Sequence, residues 1–351
     1  MKRKFTAIDL FSGCGGLSQG MIDADFEVIA SVEINSDAIK AYSLNHPNTT
    51  LIQQDIREID TKSIKRLLKR RPLHLLAGCP PCQGFSKVRK LNRKDEVFDV
   101  RNDLVLEYFR FVKELMPITI MMENVPGLET YDVFIEITKE LQALGYKLDI
   151  QVVNVKDYGV PQSRERLVMV GSLIGAIKIA PGTGEKKTVR DYIEKLESIS
   201  ETTDALHKIV AVHTPEVLNR IKLTPKNGGS RKDLPEEYTL DCHKKPNVGF
   251  NDIYGRLRWD DYSTTITGGC LNPSKGRFLH PEEDRVITPR EAALLQSFPP
   301  NYKFPLDIPK AAIALLIGNA LPPKFSYQQC DNLKSHLKAK LTERMSPPEK
   351  S

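Results

Sequence analysis

At 351 residues, with 40% hydrophobic and 27% charged side chains, the chain is long enough for one large domain and a smaller one. It has no run of about 18 apolar residues to span a membrane, and six unpatterned cysteines fit a reducing compartment better than a disulfide framework. A net charge of +6 permits a nucleic-acid partner without demanding one. Met1-Lys2-Arg3-Lys4 leads into a strand-like run with no signal-peptide pattern, so a cytoplasmic protein without a membrane partner is expected.

Phe5 to Leu10 reads as a strand, and Phe11-Ser12-Gly13-Cys14-Gly15-Gly16-Leu17 as a glycine turn opening a helix. Ser18 stands where a dinucleotide fingerprint has its third glycine, so the turn alone is equally an ordinary tight turn. A second apolar run, Val28 to Val32, ends at Glu33, placed to accept hydrogen bonds from ribose hydroxyls. A third short run, Leu51-Ile52, precedes Asp55 and Ile56; an acid there is either a pocket group or a helix cap. The basic stretch from Ile64 to Arg71 reads as the solvated face of a helix.

The fourth run, Leu73 to Ala77, ends in Gly78-Cys79-Pro80-Pro81-Cys82-Gln83-Gly84-Phe85-Ser86. Two prolines stiffen the backbone, and Lys87, Arg89, Lys90, Arg93 and Lys94 follow at once. A thiol held beside cations suits a thiolate nucleophile, although C-x-x-C also fits a redox pair, half a zinc site or inert buried cysteines. Leu104 to Leu115 has helical period with Pro117 as its stop. A fifth run, Ile118 to Met122, delivers Glu123-Asn124-Val125. Another helix (134–144) and a strand (148–155) lead to Gln162-Ser163-Arg164-Glu165-Arg166, whose two arginines share a face if both lie in a strand.

Alternating strands and helices imply an α/β fold with a doubly wound, mostly parallel sheet, whose strands end along one edge. Gly13, Glu33, Asp55, Cys82 and Glu123 each follow one of five successive runs, so that topology gathers them at one rim. The expected domains are residues 1–180, a smaller irregular domain of loops and short strands over 181–285, C-terminal helices over 286–345 returning to the first domain, and a disordered tail at 346–351. Thr288-Pro289-Arg290-Glu291 reads as a capped helix start, and Gly318 to Pro323 as a second return to regularity.

In this order the motifs resemble those of C5-cytosine DNA methyltransferases of the bacterial restriction–modification type. The resemblance runs from Phe5 to about Pro323 and weakens between about Pro181 and Asp252. It implies the Rossmann-like fold of S-adenosylmethionine-dependent methyltransferases, with residues 181–285 as the target recognition domain. It also implies that Phe11, Gly13, Gly15, Gly16, Glu33, Asp55, Ile56, Pro81 and Asn319 hold S-adenosylmethionine. By the same resemblance Cys82 is the nucleophile, Glu123 the acid at the cytosine, and Arg166, with Arg164 beside it, the cation holding them in register. Ser86, Lys87, Arg89, Lys90 and Thr265 would meet double-stranded DNA. The implied protein is a monomer that needs no metal and works alongside a restriction endonuclease.

The chemistry requires such groups. Cytosine C5 is a poor nucleophile until a thiolate adds at C6, after which negative charge develops toward N3, where a protonated Glu123 would donate a hydrogen bond. Burial favours that protonated form and Arg166 opposes it. The base must leave the duplex to be reached. An RNA (tRNA) cytosine-C5 methyltransferase and a catalytically silent DNA-binding protein are the alternatives.

Overall fold

The computed structural model describes residues 4–81, 104–240 and 252–345. Their strands are β1 (Phe5–Leu10), β2 (Phe26–Val32), β3 (Thr50–Ile52), β4 (Leu75–Gly78), β5 (Thr119–Asn124), β6 (Lys147–Asn154) and β7 (Glu165–Ser172). The helices are α1 (Gly16–Asp23), α2 (Ser36–Asn45), α3 (Thr61–Leu67), α4 (Leu104–Leu115), α5 (Asp132–Ala143), α6 (Val189–Ile193), α7 (Pro215–Leu223), α8 (Pro289–Leu295), α9 (Lys310–Asn319) and α10 (Pro323–Met345). Among the described residues, no helix is long and apolar enough to cross a membrane. Contacts divide the chain into two compact units. The first holds Met1–Asn154, Glu165–Gly182 and Pro323–Ser351, and the second Val155–Arg164 and Thr183–Pro322.

The first unit is built on a sheet of order β3-β2-β1-β4-β5-β7-β6. Strands β1 to β5 are parallel, whereas β7 runs antiparallel to both β5 and β6. This is the mostly parallel, doubly wound architecture that the alternating pattern implies. Strand order reverses between β1 and β4, and a crevice opens at the carboxyl ends of such a pair.

Period-two alternation divides the sheet's side chains. Ile8, Leu10, Val32, Leu76, Ile120, Met122, Leu167 and Met169 join one core with Ile64 of α3, Phe109 and Val112 of α4 and Ile137 of α5. The alternate positions face the other way and include polar groups. Asp9 on that face is fully buried and its Oδ2 accepts a 2.6 Å hydrogen bond from the Ser18 hydroxyl of α1. Its Oδ1 has no partner among the described residues. Burial, together with the negative charge of Glu33, pushes the Asp9 carboxyl up to about 7 against the Ser18 bond. Helix α1 crosses α10 at Gly20, where a Cβ would stand 2.5 Å from the Tyr327 backbone nitrogen. The Ser326 hydroxyl donates to the Leu17 carbonyl at the same crossing.

The second unit has few regular elements and a polar centre. Arg256 is fully buried, and its guanidinium donates to the carbonyls of Thr224, Ile221, His280 and Glu283 and to the Asp284 carboxylate. One fixed fork of donors thus satisfies carbonyls that no ladder takes up. The short strands expected over 181–285 are absent among the described residues. Isolated bridges such as Arg256 to Leu279 and the helices α6 and α7 stand there instead.

Two other expectations change. The basic helix stops at Leu67, because Lys69 and Arg70 turn through left-handed conformations (φ 48° and 64°), and Arg71 pairs with Glu27. Helix α9 had no period to reveal it, being apolar almost throughout (Ala311 to Ile317). The start of α8 matches its sequence signature, with Thr288 and Glu291 forming a reciprocal capping box.

Two stability measurements follow from these contacts. Gly20→Ala should cost about 3 kcal/mol in chemical unfolding, and adding Ser326→Ala should not restore it, because the Tyr327 backbone remains in the way. Asp9 binds its proton more tightly folded than unfolded, so its contribution to stability is complete below about pH 4 and is lost as pH rises through about 7. Asp9→Asn should therefore stabilise the protein more at pH 8 than at pH 5, as read from urea midpoints.

Candidate active site

The carboxyl ends of β1, β2, β3 and β5 carry Gly13, Glu33, Asp55 and Glu123, and β4 leads into Pro81. Beyond β1 the chain turns through three left-handed residues, Phe11 (φ 61°), Gly13 (φ 54°) and Gly15 (φ 96°), before α1 begins. Glycine adopts this conformation without strain, whereas a bulky aromatic residue does so only when its surroundings hold it. Those surroundings include the Ser12 amide, which donates to the Val32 carbonyl at 3.0 Å. A Cβ on Gly13 would meet nothing within 4 Å, so there is open space for a ligand to approach this backbone.

Glu33, one residue past β2, faces the same loop. Its Oε2 accepts the Gly13 amide at 2.7 Å, and its Oε1 accepts the Ile34 and Asn35 amides at 2.9 and 2.8 Å. A carboxylate offers about four acceptor positions, so capacity remains for another donor. Ile34 beside it is 64% exposed, an apolar surface that sequence reasoning passed over. The signal was present in an apolar residue placed directly after a strand-end acid.

Asp55 caps the 3-10 turn Ile56–Glu58 through the Arg57 amide and pairs with the Arg57 guanidinium, which lowers its carboxyl pKa. Ile56 is buried in the apolar core.

At β5, Glu123 is buried and its Oε1 lies 2.7 Å from Arg166 Nε. Direction explains the pair. Because β7 is antiparallel to β5, its first residues lie at the edge where β5 ends, with Glu123 opposite Val168 and Arg166 two residues beyond. Next to Glu123, the Asn124 amide donates to the Pro80 carbonyl at 2.9 Å, tying β5 to the proline stretch that leads past Pro81. This role of Asn124 was not anticipated from sequence. Cys82, Ser86, Lys87, Arg89 and Lys90 lie outside the described residues.

In the second unit, Arg164 does not share Arg166's face or partner. Strand β7 starts only at Glu165, so the two-residue spacing does not apply to Arg164. Its buried guanidinium donates to the Ile266 and Gly318 carbonyls at 3.1 and 2.9 Å. Gln162 accepts the Ile266 amide at 2.8 Å, and the Thr265 hydroxyl donates to the Ser163 carbonyl at 2.9 Å. Asn319, at the end of α9, is exposed.

A family model described as C-5 cytosine-specific DNA methylase matches residues 5–335. The type II methylase M.HgiDII of Herpetosiphon aurantiacus is 36% identical over 326 residues, spanning 90% of this chain and 91% of that protein. The type II methyltransferase M1.HphI of Haemophilus parahaemolyticus is 35% identical over 325 residues, spanning 91% and 83%. Among solved structures, a prophage-encoded DNA modification methyltransferase from E. coli, described as putative, superposes with a TM-score of 0.72 at 26% identity, over 95% of this chain and all of that one. A glycine turn, strand-end acids and an arginine-held glutamate on this sheet thus come with sequence likeness over nearly the full length, and the chain belongs to the C-5 cytosine-specific DNA methylase family.

Proposed function

We propose that this DNA cytosine-C5 methyltransferase uses S-adenosylmethionine to modify a cytosine rotated out of a specific double-stranded sequence. The reaction runs through a transient bond between Cys82 and C6, and the mark protects DNA from a partner endonuclease. The observation that carries the reading is the 2.7 Å pairing of Glu123 with Arg166, one strand away from the chain that leads through Pro80 and Pro81 to Cys82. The restriction–modification setting is supported by relatives named as type II enzymes.

The first unit fits the methyl donor. The open backbone at Gly13, with Gly15 and Gly16 behind it, suits a polar ligand end, and the spare acceptor capacity of Glu33 suits ribose hydroxyls. Phe11 and exposed Ile34 offer apolar surface for adenine, and Asp55 on the next loop is assigned to its edge; Ile56, buried in the core, has only its backbone to offer there. Pro81 and Asn319 are assigned to the same ligand by family position. When bound, S-adenosylmethionine supplies an electrophilic methyl group.

The chain's own residues do the rest. The Cys82 thiolate adds to C6, the C5–C6 double bond opens, and electron density moves toward N3. Glu123, protonated as the base covers it, donates to N3 in the adduct more strongly than in the ground state. Arg166 fixes one carboxyl oxygen, which leaves the other to meet the base. After C5 is methylated its proton passes to a water molecule, the C5–H electron pair re-forms the C5–C6 double bond, and the C6–sulfur bond breaks, returning the thiolate. Lys87, Arg89, Lys90, Ser86 and Thr265 are assigned to the DNA. Arg164 is assigned to holding the Gly318 and Ile266 backbone rather than the cytosine.

Cys82→Ser should abolish transfer of labelled methyl groups to duplex DNA, and wild type should form a denaturation-resistant adduct with 5-fluorocytosine DNA. Undiminished transfer by the variant, or no adduct, would refute the mechanism. Arg166→Leu should lower kcat about a hundredfold with little change in cofactor affinity, because it strips a buried carboxyl of its partner. Steady-state kinetics and cofactor titration would check this.

A further inference from the structure

The basic stretch from Ile64 to Arg71 takes no part in the chemistry above, and it borders a cavity. Pro72 and Leu73 lead into β4 and Ile118 into β5, with the Ile118 amide donating to the Leu73 carbonyl at 2.9 Å. Between these strand starts and the ends of α3 and α4 lies a cavity of about 300 Å³. Its floor is apolar, made by buried Leu68, Leu73 and Leu115 with half-buried Ile118. Lys65, Arg70 and Arg71 supply its charge, and among the described residues no carboxylate lines it. Because β4 and β5 are parallel, the cavity sits at the sheet edge opposite the one that carries Glu123, roughly 17 Å of strand away.

The three cations are not alike. Arg71 is already engaged, its two terminal nitrogens donating to the Glu27 carboxylate at 2.5 and 3.0 Å. Lys65 and Arg70 are exposed and have no hydrogen bond or ion pair among the described residues. Their meeting is not a by-product of a solvated helix face. Arg70 lies beyond the helix end, on a turn that runs left-handed at Lys69 and Arg70 (φ 48° and 64°). On the wall from α4, Met116 is left-handed too (φ 46°) and 42% exposed. Each of these non-glycine residues carries local strain, a pattern that gathers around ligand clamps.

We propose that this cavity is a docking site for an acidic peptide segment of a partner protein. One large apolar side chain of the segment enters the cavity while flanking carboxylates meet Lys65 and Arg70. Charge complementarity decides the sign of the ligand, and the floor decides that it also carries an apolar group. Shape decides its size class. The walls at Lys65, Arg70, Pro72 and Met116 are exposed, so a small molecule would stay largely wet, whereas small-ligand pockets enclose most of the ligand. A peptide covers the opening with its own backbone and neighbouring side chains, leaving one anchor buried in the manner of an interface hot spot. Phosphates of a nucleic acid would use the cations and leave the apolar floor idle. At this edge a partner leaves accessible the opposite strand ends, which carry Gly13, Glu33 and Glu123.

The test is fluorescence anisotropy of the full chain with a fluorescein-labelled peptide in which aspartates and glutamates flank one leucine and one phenylalanine. Wild type should bind it. Lys65→Glu combined with Arg70→Glu should weaken binding about tenfold or more, since two attractions become repulsions. Both side chains are exposed, so the fold should be kept and methyl transfer to DNA should be unchanged. Serine in place of the peptide's two apolar residues should weaken binding to wild type about tenfold, a readout that needs no protein variant. A photoreactive leucine analogue at the apolar position should crosslink to the segment from Leu115 to Ile118. No binding by wild type, equal binding by the charge-reversed variant, equal binding of the serine peptide, or crosslinks elsewhere would each overturn the proposal. Displacement of the peptide by oligothymidylate would overturn it too, making the site one for phosphates. Self-association of wild type, read by sedimentation and lost in the charge-reversed variant, would instead make the occupant a second copy and likewise refute it.

Discussion

The antiparallel course of β7 is the constraint on which the first unit's site depends. A strand entering the sheet parallel to β5 would present its amino end at the opposite edge, some 20 Å away for a strand of ordinary length. Reversal brings Arg166, the second residue of β7, to the edge where β5 delivers Glu123. Removing both charges from water costs several kcal/mol unless geometry and further hydrogen bonds compensate. Here the carboxyl is buried and the Nε contact is 2.7 Å, which is the close, oriented kind of pair that can meet that cost.

The same face of the sheet concentrates buried polarity that a purely structural sheet would avoid. Asp9 and Glu123 occupy it near the ends of β1 and β5, while the opposite face is a continuous apolar core. Asp9, its carboxyl pushed up to about 7 and one oxygen without a partner among the described residues, is a folding liability near the end of β1. Such local conflicts between stability and environment are where functional sites are found. The left-handed Phe11 belongs to the same pattern, a strained residue fixed by the turn that its glycines make possible.

The second unit solves a different problem. With few ladders, its backbone carbonyls need other donors, and arginines supply them. Arg256 gathers four carbonyls at its centre, and Arg164 ties Ile266 to Gly318. Arg285 is buried against Glu291, which also closes the capping box of α8. A basic residue type that reads as DNA-facing in sequence is here partly consumed as internal scaffolding.

What the sequence determined by itself was the set of strands and the residues at their ends. Apolar runs bounded by glycine, proline and acids are local features, and Gly13, Glu33, Asp55 and Glu123 were legible because each lies within three residues of the end of one. Family resemblance added the order of motifs, and with it the roles proposed for Cys82 and Arg166. Tertiary structure alone decided the rest. Whether β7 ran parallel or antiparallel, and which arginine of Arg164 and Arg166 reached the glutamate, depend on register between strands distant in sequence. No local pattern encodes that register, because it is set by how whole faces pack.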